Sequence, residues 1–267
     1  MLITVNERQQ DVPEGTALRD IRSRFKPEAD IVIVNGAVQE RDGAVAAGDA
    51  VILIRRGEQP GADELEALMM ARHTPGVHRK LKRACVGIAG LGGLGSTIAV
   101  ALARVGVGRL ILVDFDVVEP SNLNRQQYFI DQIGMRKTEA LVANLMRINP
   151  YVAYEPHAVR LGPENIPVIF RGVDVLLEAF DQVDMKAMLA EHFGAAFPDT
   201  PLVMASGLAG CGPENTLRVR KCGRHVYVVG DLESAARPGC GLMAPRVGIV
   251  AHMQANLAVR LLLGDEA

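Results

Sequence analysis

The sequence predicts an α/β protein whose main part is a doubly wound, mainly parallel sheet, and three neighbouring features support that prediction. A short apolar run, Cys85–Ala89, is followed at once by a glycine-rich turn, Gly90–Ser96. A segment of small apolar residues, 97–105, then leads to a second apolar run that ends on Asp114. Strand, glycine turn, helix, strand and acid is the order that a nucleotide-binding βαβ unit requires.

The glycine turn is suited to holding phosphate. Glycines let backbone N–H groups approach an anion at the start of a helix, where the helix dipole favours negative charge. Asp114, at the end of the second strand, can accept hydrogen bonds from a ribose. The glycines that we expect to shape this cradle are Gly90, Gly92, Gly93 and Gly95.

The residues that follow Asp114 favour ATP over NAD. A glycine turn alone is most often an NAD or FAD site, but here Asn122, Arg125 and Lys137 come shortly afterwards. The pyrophosphate of a dinucleotide can be held largely by backbone amides, whereas a triphosphate needs more compensating charge. We therefore interpret the site as ATP-binding.

Three stretches together resemble the adenylation domain of the HesA/MoeB/ThiF family, which belongs to the ubiquitin-activating-enzyme superfamily. They are the turn Gly90–Ser96, the strand end Asp114–Asp116, and Ser121–Gln126. The resemblance extends over about residues 65–263 and implies a Rossmann-like sheet, a homodimer, and adenylylation of a small carrier protein. In that reaction a C-terminal carboxylate attacks the α-phosphate of ATP, giving an acyl-adenylate and pyrophosphate.

The resemblance also implies roles for individual residues. Asp114 would hold the ribose, and Asn122, Arg125 and Lys137 would bind the phosphates. Asp181 follows a buried apolar strand, 173–178, and would hold Mg²⁺. Arg125, Lys137 and Asp181 are accordingly the residues that we expect to serve catalysis. The alternatives for Asp181 are a cap on the helix that begins at Val183, or replacement of its metal role by Asp184.

Composition narrows the classes of function. The chain has 267 residues, 49% of them apolar, which is typical of a globular protein with room for a small extra domain. A net charge of −2 argues against general nucleic-acid binding. No signal peptide is apparent, and the long apolar stretch 247–263 contains polar residues, so it predicts a buried helix rather than a membrane span. We expect a cytoplasmic protein.

Residues 1–57 predict a separate β-grasp (ubiquitin-like) domain. Two strands, a helix with Leu18, Ile21 and Phe25 at helical spacing, a hairpin across Asn35-Gly36 and a last strand give the order ββαβββ. This order resembles the sulfur carrier protein ThiS. Such carriers end in a free Gly-Gly, whereas this chain continues past Gly57. A stabilising or docking module is therefore favoured over a cleaved, activated carrier.

Residues 58–84 are interpreted as a linker, a short helix and a basic arm, and 85–267 as the adenylation domain. The segment 72–83 contains no acid and is rich in lysine and arginine. It is either a solvated arm or a source of phosphate contacts. In the resembled family an arginine before the glycine turn reaches the ATP of the neighbouring subunit, and Arg72 is the nearest candidate.

The four cysteines do not have the spacing of a zinc site. Ten residues separate Cys211 from Cys222, and seventeen separate Cys222 from Cys240, so we expect no zinc. Some members of the family use a loop cysteine in sulfur transfer or thioester formation. Cys240, between two glycines, is the best candidate for such a thiol and Cys211 the next. An unreactive loop cysteine is the favoured interpretation of both.

The ThiS-like domain points to thiamine thiazole synthesis more than to the molybdopterin pathway, with a separate ThiS-like carrier as the partner. Two other classes stay open. A nicotinamide-dependent oxidoreductase would use the glycine turn and Asp114, but Arg125 with Lys137 argues against it. The other class is a non-catalytic docking protein that kept the fold, but such a protein would not need the intact cluster of Arg125, Lys137 and Asp181. A tRNA-modifying dehydratase of the same superfamily does not suit the N-terminal domain.

Overall fold

The computed structural model describes residues 1–73 and 75–265, and of 71–73 and 75 it describes the backbone alone. Contacts divide the chain into two units, the first ending at His78 and the second beginning at Arg79. That boundary lies inside the segment 58–84. The division of the sequence at 57/58 and 84/85 stays a prediction.

The first unit contains a five-stranded sheet in the order β2-β1-β5-β3-β4. β1 pairs antiparallel with β2 and parallel with β5, as the β-grasp prediction requires. Leu18 and Ile21 of the helix are buried against Val5, Val51 and Leu53 of the sheet. The elements are β1 (Leu2–Val5), β2 (Arg8–Asp11), α1 (Leu18–Phe25), β3 (Ile31–Val34), β4 (Ala37–Val38) and β5 (Ala50–Ile54).

The chain that follows β5 is fastened to the first unit. Lys26 Nζ lies 2.9 Å from Glu58 Oε2 and 3.3 Å from Glu64 Oε1. Asn6 Nδ2 donates to Glu64 Oε1 at 3.0 Å, and Arg8 Nη2 donates to the carbonyl of Asp63 at 2.9 Å. These contacts hold the start of the next helix against the hairpin turn between β1 and β2.

Two helices occupy most of the segment between the sheets, α2 (Ala62–His73) and α3 (Pro75–Arg83). The first was expected. The second helix was not predicted: the basic residues 79–83, interpreted as part of a basic arm, lie on a helix. Leu81 is only 1% exposed, so this helix buries an apolar side chain while its lysines and arginines face solvent.

The second unit contains a seven-stranded sheet in the order β11-β12-β10-β9-β6-β7-β8. All its pairings are parallel except that of β11 with β12, which confirms the predicted, mainly parallel sheet. The elements are β6 (Cys85–Ala89), α4 (Gly93–Arg104), β7 (Arg109–Val113), α5 (Lys137–Met146), β8 (Ala153–His157), α6 (Ile166–Ile169), β9 (Val175–Glu178), α7 (Val183–Ala196), β10 (Leu202–Ala205), β11 (Arg218–Lys221), β12 (Val226–Gly230) and α8 (Ala244–Leu263).

The order of this sheet changes direction between β6 and β9. β7 and β8 lie on one side of β6, whereas β9, β10 and β12 follow on the other. Both β6 and β9 are buried along their whole length, and α4 packs against α8 on one face. Ligands of open α/β sheets bind beyond the carboxyl ends of the strands at such a switch point.

The helices differ from expectation mainly at their starts. α4 begins at Gly93, inside the glycine turn, rather than at Thr97. The short α6 was not predicted, because four residues that include Pro167 carry too little periodicity to be recognised. Among the described helices, none combines the length and the apolar character that a membrane span needs.

Candidate functional site

The carboxyl ends of β6, β7, β9 and β10 open into a cavity of about 620 Å³ at the switch point. Loops after β7, β8 and β12 and the starts of α5, α7 and α8 complete its lining. Seven of the residues predicted from the sequence line this cavity: Gly90, Gly92, Gly93, Asp114, Arg125, Lys137 and Asp181. Three sequence stretches and the end of a distant strand therefore meet at one place.

Two glycines of the turn are required by close contacts. Gly90 has φ +92°, and a Cβ there would lie 2.9 Å from the carbonyl oxygen of Ala179. A Cβ on Gly95 would lie 1.8 Å from the carbonyl oxygen of Gly90, so only glycine lets α4 leave the turn at this angle. Gly95 does not line the cavity, and its place is in packing the turn. Gly93 and Leu94, the first residues of α4, line the cavity, and the N–H groups at a helix start have no partner within the helix.

Asp114 organises the turn with both of its carboxylate oxygens. Oδ2 accepts a hydrogen bond from Leu91 N at 2.7 Å, and Oδ1 accepts one from Asp116 N at 2.8 Å. The carbonyl of Leu91 in turn accepts from the Tyr128 hydroxyl at 2.8 Å. Burial, with the charges of Asp114 and Asp116, raises the pKa of Tyr128, so its hydroxyl stays protonated. Asp114, the residue predicted to bind a ribose, thus also fixes the glycine turn.

The two predicted cations both line the cavity, but they differ in burial and in their hydrogen-bond partners. Lys137 is buried in the first turn of α5, and its Nζ lies 2.9 Å from Asp116 Oδ2. Arg125 is half-buried, and its Nη1 donates to the carbonyl of Ser121 at 3.1 Å and to Asn124 Oδ1 at 2.7 Å. Lys137 is thereby held in place by a neighbouring carboxylate that lines the same cavity.

Asn122 lies outside the cavity lining. Its side chain is buried, and its Oδ1 accepts a hydrogen bond from Glu119 N at 3.0 Å, so it caps its own short turn. The expectation that it contacts phosphate is not supported by this placement. Arg72, the candidate for contact across a dimer, lies outside the residues whose side chains the structure describes.

Asp181 follows β9 and presents an exposed carboxylate to the cavity. Gln182 occupies the N-cap position of α7 and makes no side-chain capping hydrogen bond, so Asp181 is not the N-cap of that helix. Asp184 is not in the cavity lining. No cluster of three or more metal-ligating side chains occurs among the described residues. Mg²⁺ is usually held by one or two carboxylates together with substrate phosphates, and Asp181 fits that arrangement.

A buried ion pair lies beneath this wall of the cavity. Glu178 is fully buried at the end of β9, and Lys186 Nζ of α7 lies 2.8 Å from its Oε1. Burial raises the pKa of Glu178 above its usual range, although Lys186 acts in the opposite direction. Neither residue was predicted from the sequence. An acid at the end of a buried, otherwise apolar strand was the available signal.

A second buried ion pair supports the far wall. Arg246, in the first turn of α8, lies 2.7 Å from Asp231 Oδ2 through its Nη2. Burial alone would raise the pKa of Asp231. Hydrogen bonds from the side chain and backbone of Ser234, from Glu233 N and from Arg246 outweigh burial and hold that pKa well below its usual range. Arg246 also donates to the carbonyls of Gly212 and Pro213 and to Thr216 Oγ1.

The two candidate thiols lie outside the cavity lining. Cys211 is exposed, and Cys240 is partly buried in a tight turn closed by hydrogen bonds with Arg237. Arg246, a cation close to Cys240 in sequence, donates to Asp231 and to the loop before β11. Neither position favours a reactive thiol, so an unreactive loop cysteine stays the favoured interpretation of both residues.

Three further polar residues of the cavity were missed. Asp116 pairs with Lys137, and Gln126 directs a buried amide toward the glycine turn. Arg160, in the loop after β8, places its guanidinium 5.7 Å from the ring centre of Phe115. Asp116 and Gln126 stand inside stretches that had been singled out, whereas a lone arginine in a loop gives no pattern to recognise.

Comparison with known proteins agrees with both units. The sequence model of the ThiF family matches residues 66–267, and that of ThiS-like ubiquitin matches residues 1–57. The molybdopterin-synthase adenylyltransferase of Salmonella typhimurium is 32% identical over 186 residues, covering 68% of this chain and 74% of that protein. The adenylyltransferase and sulfurtransferase uba4 of Pyricularia oryzae is 34% identical over 197 residues, but this chain spans only 40% of its length.

Solved structures share the fold at low identity. The Escherichia coli tRNA N6-threonylcarbamoyladenosine dehydratase TcdA, in complex with ATP, has a TM-score of 0.67 and 22% identity, covering 73% of this chain and 92% of that one. E. coli MccB with ATP has a TM-score of 0.56 and 22% identity, covering 76% and 62%. Because the identities are low, these structures establish the architecture alone.

Proposed function

Because this chain belongs to the ThiF family, we propose that it adenylylates the C-terminal glycine carboxylate of a small ubiquitin-like sulfur carrier, using ATP. The observation that carries the proposal is the meeting of Arg125, Lys137 and Asp181 around a glycine turn in one cavity. The curated relatives are named as adenylyltransferases, which supports a nucleotidyltransfer reaction.

The carrier carboxylate attacks the α-phosphate and pyrophosphate leaves, so no covalent intermediate with the enzyme is needed. The enzyme's task is to align the two reactants and to stabilise charge that develops on the phosphates. The α4 N-terminus and its glycines cradle the phosphates, and Asp114 accepts from the ribose. Arg125 and Lys137 neutralise phosphate oxygens. Asp181 would hold a Mg²⁺ ion, which would supply further positive charge beside the phosphates.

The charges of the cavity support ATP over a nicotinamide dinucleotide. Arg125 and Lys137 supply two cations beside the turn, more than a pyrophosphate held by backbone amides needs. Lys137 is paired with Asp116, so a phosphate must compete with that carboxylate. Such a competition favours a ligand of high negative charge, since it gains more from the ammonium group.

The pathway is the finer part of the proposal. The ThiS-like match of residues 1–57 supports a carrier of thiamine thiazole synthesis. The 32% identity to a molybdopterin-synthase adenylyltransferase supports, as the second candidate, a carrier of the molybdopterin pathway. We also propose that the protein works as a homodimer, as the family resemblance implies.

The N-terminal unit is proposed to be a docking module rather than a substrate. Adenylylation needs a free carboxylate at a flexible tip, and the carbonyl carbon of Gly57 is already part of a peptide bond. The segment beyond it is tied back by Lys26, Asn6 and Arg8 through Glu58, Asp63 and Glu64. A separate carrier is therefore the substrate.

Mass spectrometry of candidate carriers incubated with the protein and ATP·Mg tests the proposal. A thiamine-pathway carrier should gain one AMP, and a molybdopterin-pathway carrier serves as the second arm. A carrier lacking its last glycine is the matched control and should stay unmodified. If neither carrier gains AMP while NAD, and not ATP, raises the thermal stability of the protein, the proposal is wrong.

A further inference from the structure

We propose that Glu178 and Lys186 are positioning residues of the site: their buried ion pair fixes the main chain beside Asp181 and the start of the wall that follows β10. The inference rests on the proposed role of Asp181 toward a nucleotide-bound Mg²⁺. It adds two residues that belong to none of the motifs found in the sequence and that lie under, rather than in, the glycine turn.

The carboxylate of Glu178 is saturated with hydrogen bonds. Oε1 accepts from Phe180 N at 2.6 Å and from Lys186 Nζ at 2.8 Å. Oε2 accepts from the same Nζ at 2.9 Å and from Ala205 N at 3.4 Å. A buried carboxylate with no exposed surface needs this degree of pairing to stay ionised.

The ammonium group of Lys186 is also fully used. It has three donor positions, and its contacts are the two oxygens of Glu178 and, at 2.9 Å, the carbonyl of Ala205. Although the side chain lines the cavity, it therefore has no donor left for a phosphate or a carboxylate. Lys186 therefore differs from Arg125 and Lys137, because it supports the site rather than binding a ligand.

The pair joins three segments that end at the cavity. The bond from Phe180 N fixes the peptide group between Ala179 and Phe180, one residue before Asp181. Lys186, in the first turns of α7, ties the start of that helix to the same carboxylate. Ala205 is held through both its N–H and its carbonyl, immediately before Ser206 of the cavity lining. A fourth segment joins from α8, where Gln254 Nε2 donates to the carbonyl of Glu178 at 3.0 Å.

Stability alone does not account for such a pair. Replacing a buried ion pair by apolar residues of similar volume is often neutral or stabilising, so its value here lies in fixing one geometry. Groups that orient a metal-binding side chain typically change metal affinity by about 10–100-fold when they are removed. The same range is expected for the Mg²⁺-dependent part of nucleotide binding.

The test replaces both partners together, as Glu178→Leu with Lys186→Met, and measures ATP affinity by calorimetry with and without Mg²⁺. We expect folding to be retained and the Mg²⁺-free affinity to stay within about twofold, whereas the gain on adding Mg²⁺ should fall by about tenfold. Arg109→Met with Glu155→Leu removes an ion pair between β7 and β8 outside the cavity lining and should leave that gain unchanged.

The variant Asp181→Ala separates the metal role proposed for Asp181 from the positioning role proposed for Glu178 and Lys186. If Asp181→Ala abolishes the gain from Mg²⁺ while the double variant keeps it at the wild-type size, the positioning inference alone is overturned. If Asp181→Ala has no effect on that gain, the metal role proposed for Asp181 fails, and the inference falls with it. Should the double variant not fold, Glu178→Gln, which keeps the shape but removes the charge, is judged by the same two outcomes.

Discussion

Lys137 Nζ lies 2.9 Å from Asp116 Oδ2, and both side chains line the same cavity. The lysine side chain is 8% exposed and the aspartate side chain 47%, so the lysine is buried whereas the aspartate is accessible to solvent. The ion pair fixes the orientation of the ammonium group within the cavity. For the proposed phosphate contact, a side chain that is already oriented would lose less conformational entropy on binding.

Removal of either cation should abolish carrier-dependent exchange between ATP and pyrophosphate. We expect Arg125→Ala and Lys137→Ala each to cost about 1.5–3 kcal/mol in phosphate binding, and more where the contact acts mainly in the transition state. Arg147→Ala, at an exposed arginine beyond the end of the same α5, is the control and should keep the wild-type rate. Wild-type exchange in both test variants would remove the assignment.

The purified protein should contain no stoichiometric zinc, since no two cysteines have ligand spacing. Elemental analysis that finds about one zinc per chain would contradict this prediction. Activity should instead require Mg²⁺ and fall sharply in Asp181→Ala. Asp184→Ala, an exposed acid three residues on and outside the cavity lining, is the matched control.

Asp231 makes stability depend on pH in the acid range. Because its folded-state pKa is lowered, its contribution is complete above the unfolded-state value of about 3.9 and is lost as the pH falls toward the folded value. Asp231→Asn leaves Arg246 buried without a counter-charge and should cost about 3 kcal/mol near neutral pH.

Urea unfolding at successive pH values checks this prediction. The difference in unfolding free energy between wild type and Asp231→Asn should narrow as the pH drops from about 5 to about 2. Asp199→Asn, at an exposed ion pair with Arg224, should show almost no difference at any pH. A gap that stays constant down to the lowest pH would mean that the carboxylate charge is not what Asp231 contributes.

Gly95→Ala should destabilise the second unit and weaken nucleotide binding. A Cβ at this position would lie 1.8 Å from the carbonyl oxygen of Gly90, so the turn or α4 must shift. A cost of about 1–3 kcal/mol is expected from such overpacking. Gly194→Ala is the contrast, since no atom lies within 4 Å of a Cβ inside α7, and it should raise stability by about 0.5–1 kcal/mol. Equal melting temperatures for the two variants would contradict the contact argument.

The N-terminal unit should stay attached and unmodified. After incubation with ATP·Mg and a separate Gly-Gly carrier, intact-mass analysis should find the uncut 267-residue chain and AMP on the carrier. Cleavage after Gly57 would leave a single glycine preceded by Arg56 rather than the Gly-Gly end of a carrier. A small fragment that ends at Gly57 and carries AMP would show that this unit is a substrate after all.

The sequence was most informative at positions where one residue type is required both by the chemistry of the site and by the local backbone conformation. The glycine turn, Asp114 and the first turn of α5 could be placed because each stands at a fixed point of a βαβ unit, and the family resemblance that rests on them is confirmed. The phosphate role of Asn122 stays a prediction, because a side-chain amide can either contact a phosphate or cap a turn, and in the structure its Oδ1 accepts a hydrogen bond from Glu119 N.

The pair Glu178–Lys186 shows what sequence reasoning could not reach. The two residues stand eight positions apart, and they meet only because the end of β9 turns back into α7 over the end of β10. Their third partner, the carbonyl of Ala205, is a backbone group that every residue has. Contacts of this kind depend on tertiary packing and leave no spacing that a single sequence can reveal.

The separation of paired strands along the chain has a consequence for synthesis on the ribosome. In the first unit all strand pairs form within residues 2–54, and its tying contacts end at Glu64. In the second, Val86 of β6 must wait for Val175 of β9, far later in the chain. Local contacts form sooner than distant ones. We therefore expect the β-grasp unit to form first, together with the contacts that tie down the segment after β5. At that stage of synthesis β6, which leads into the glycine turn, still lacks β9 as a neighbour.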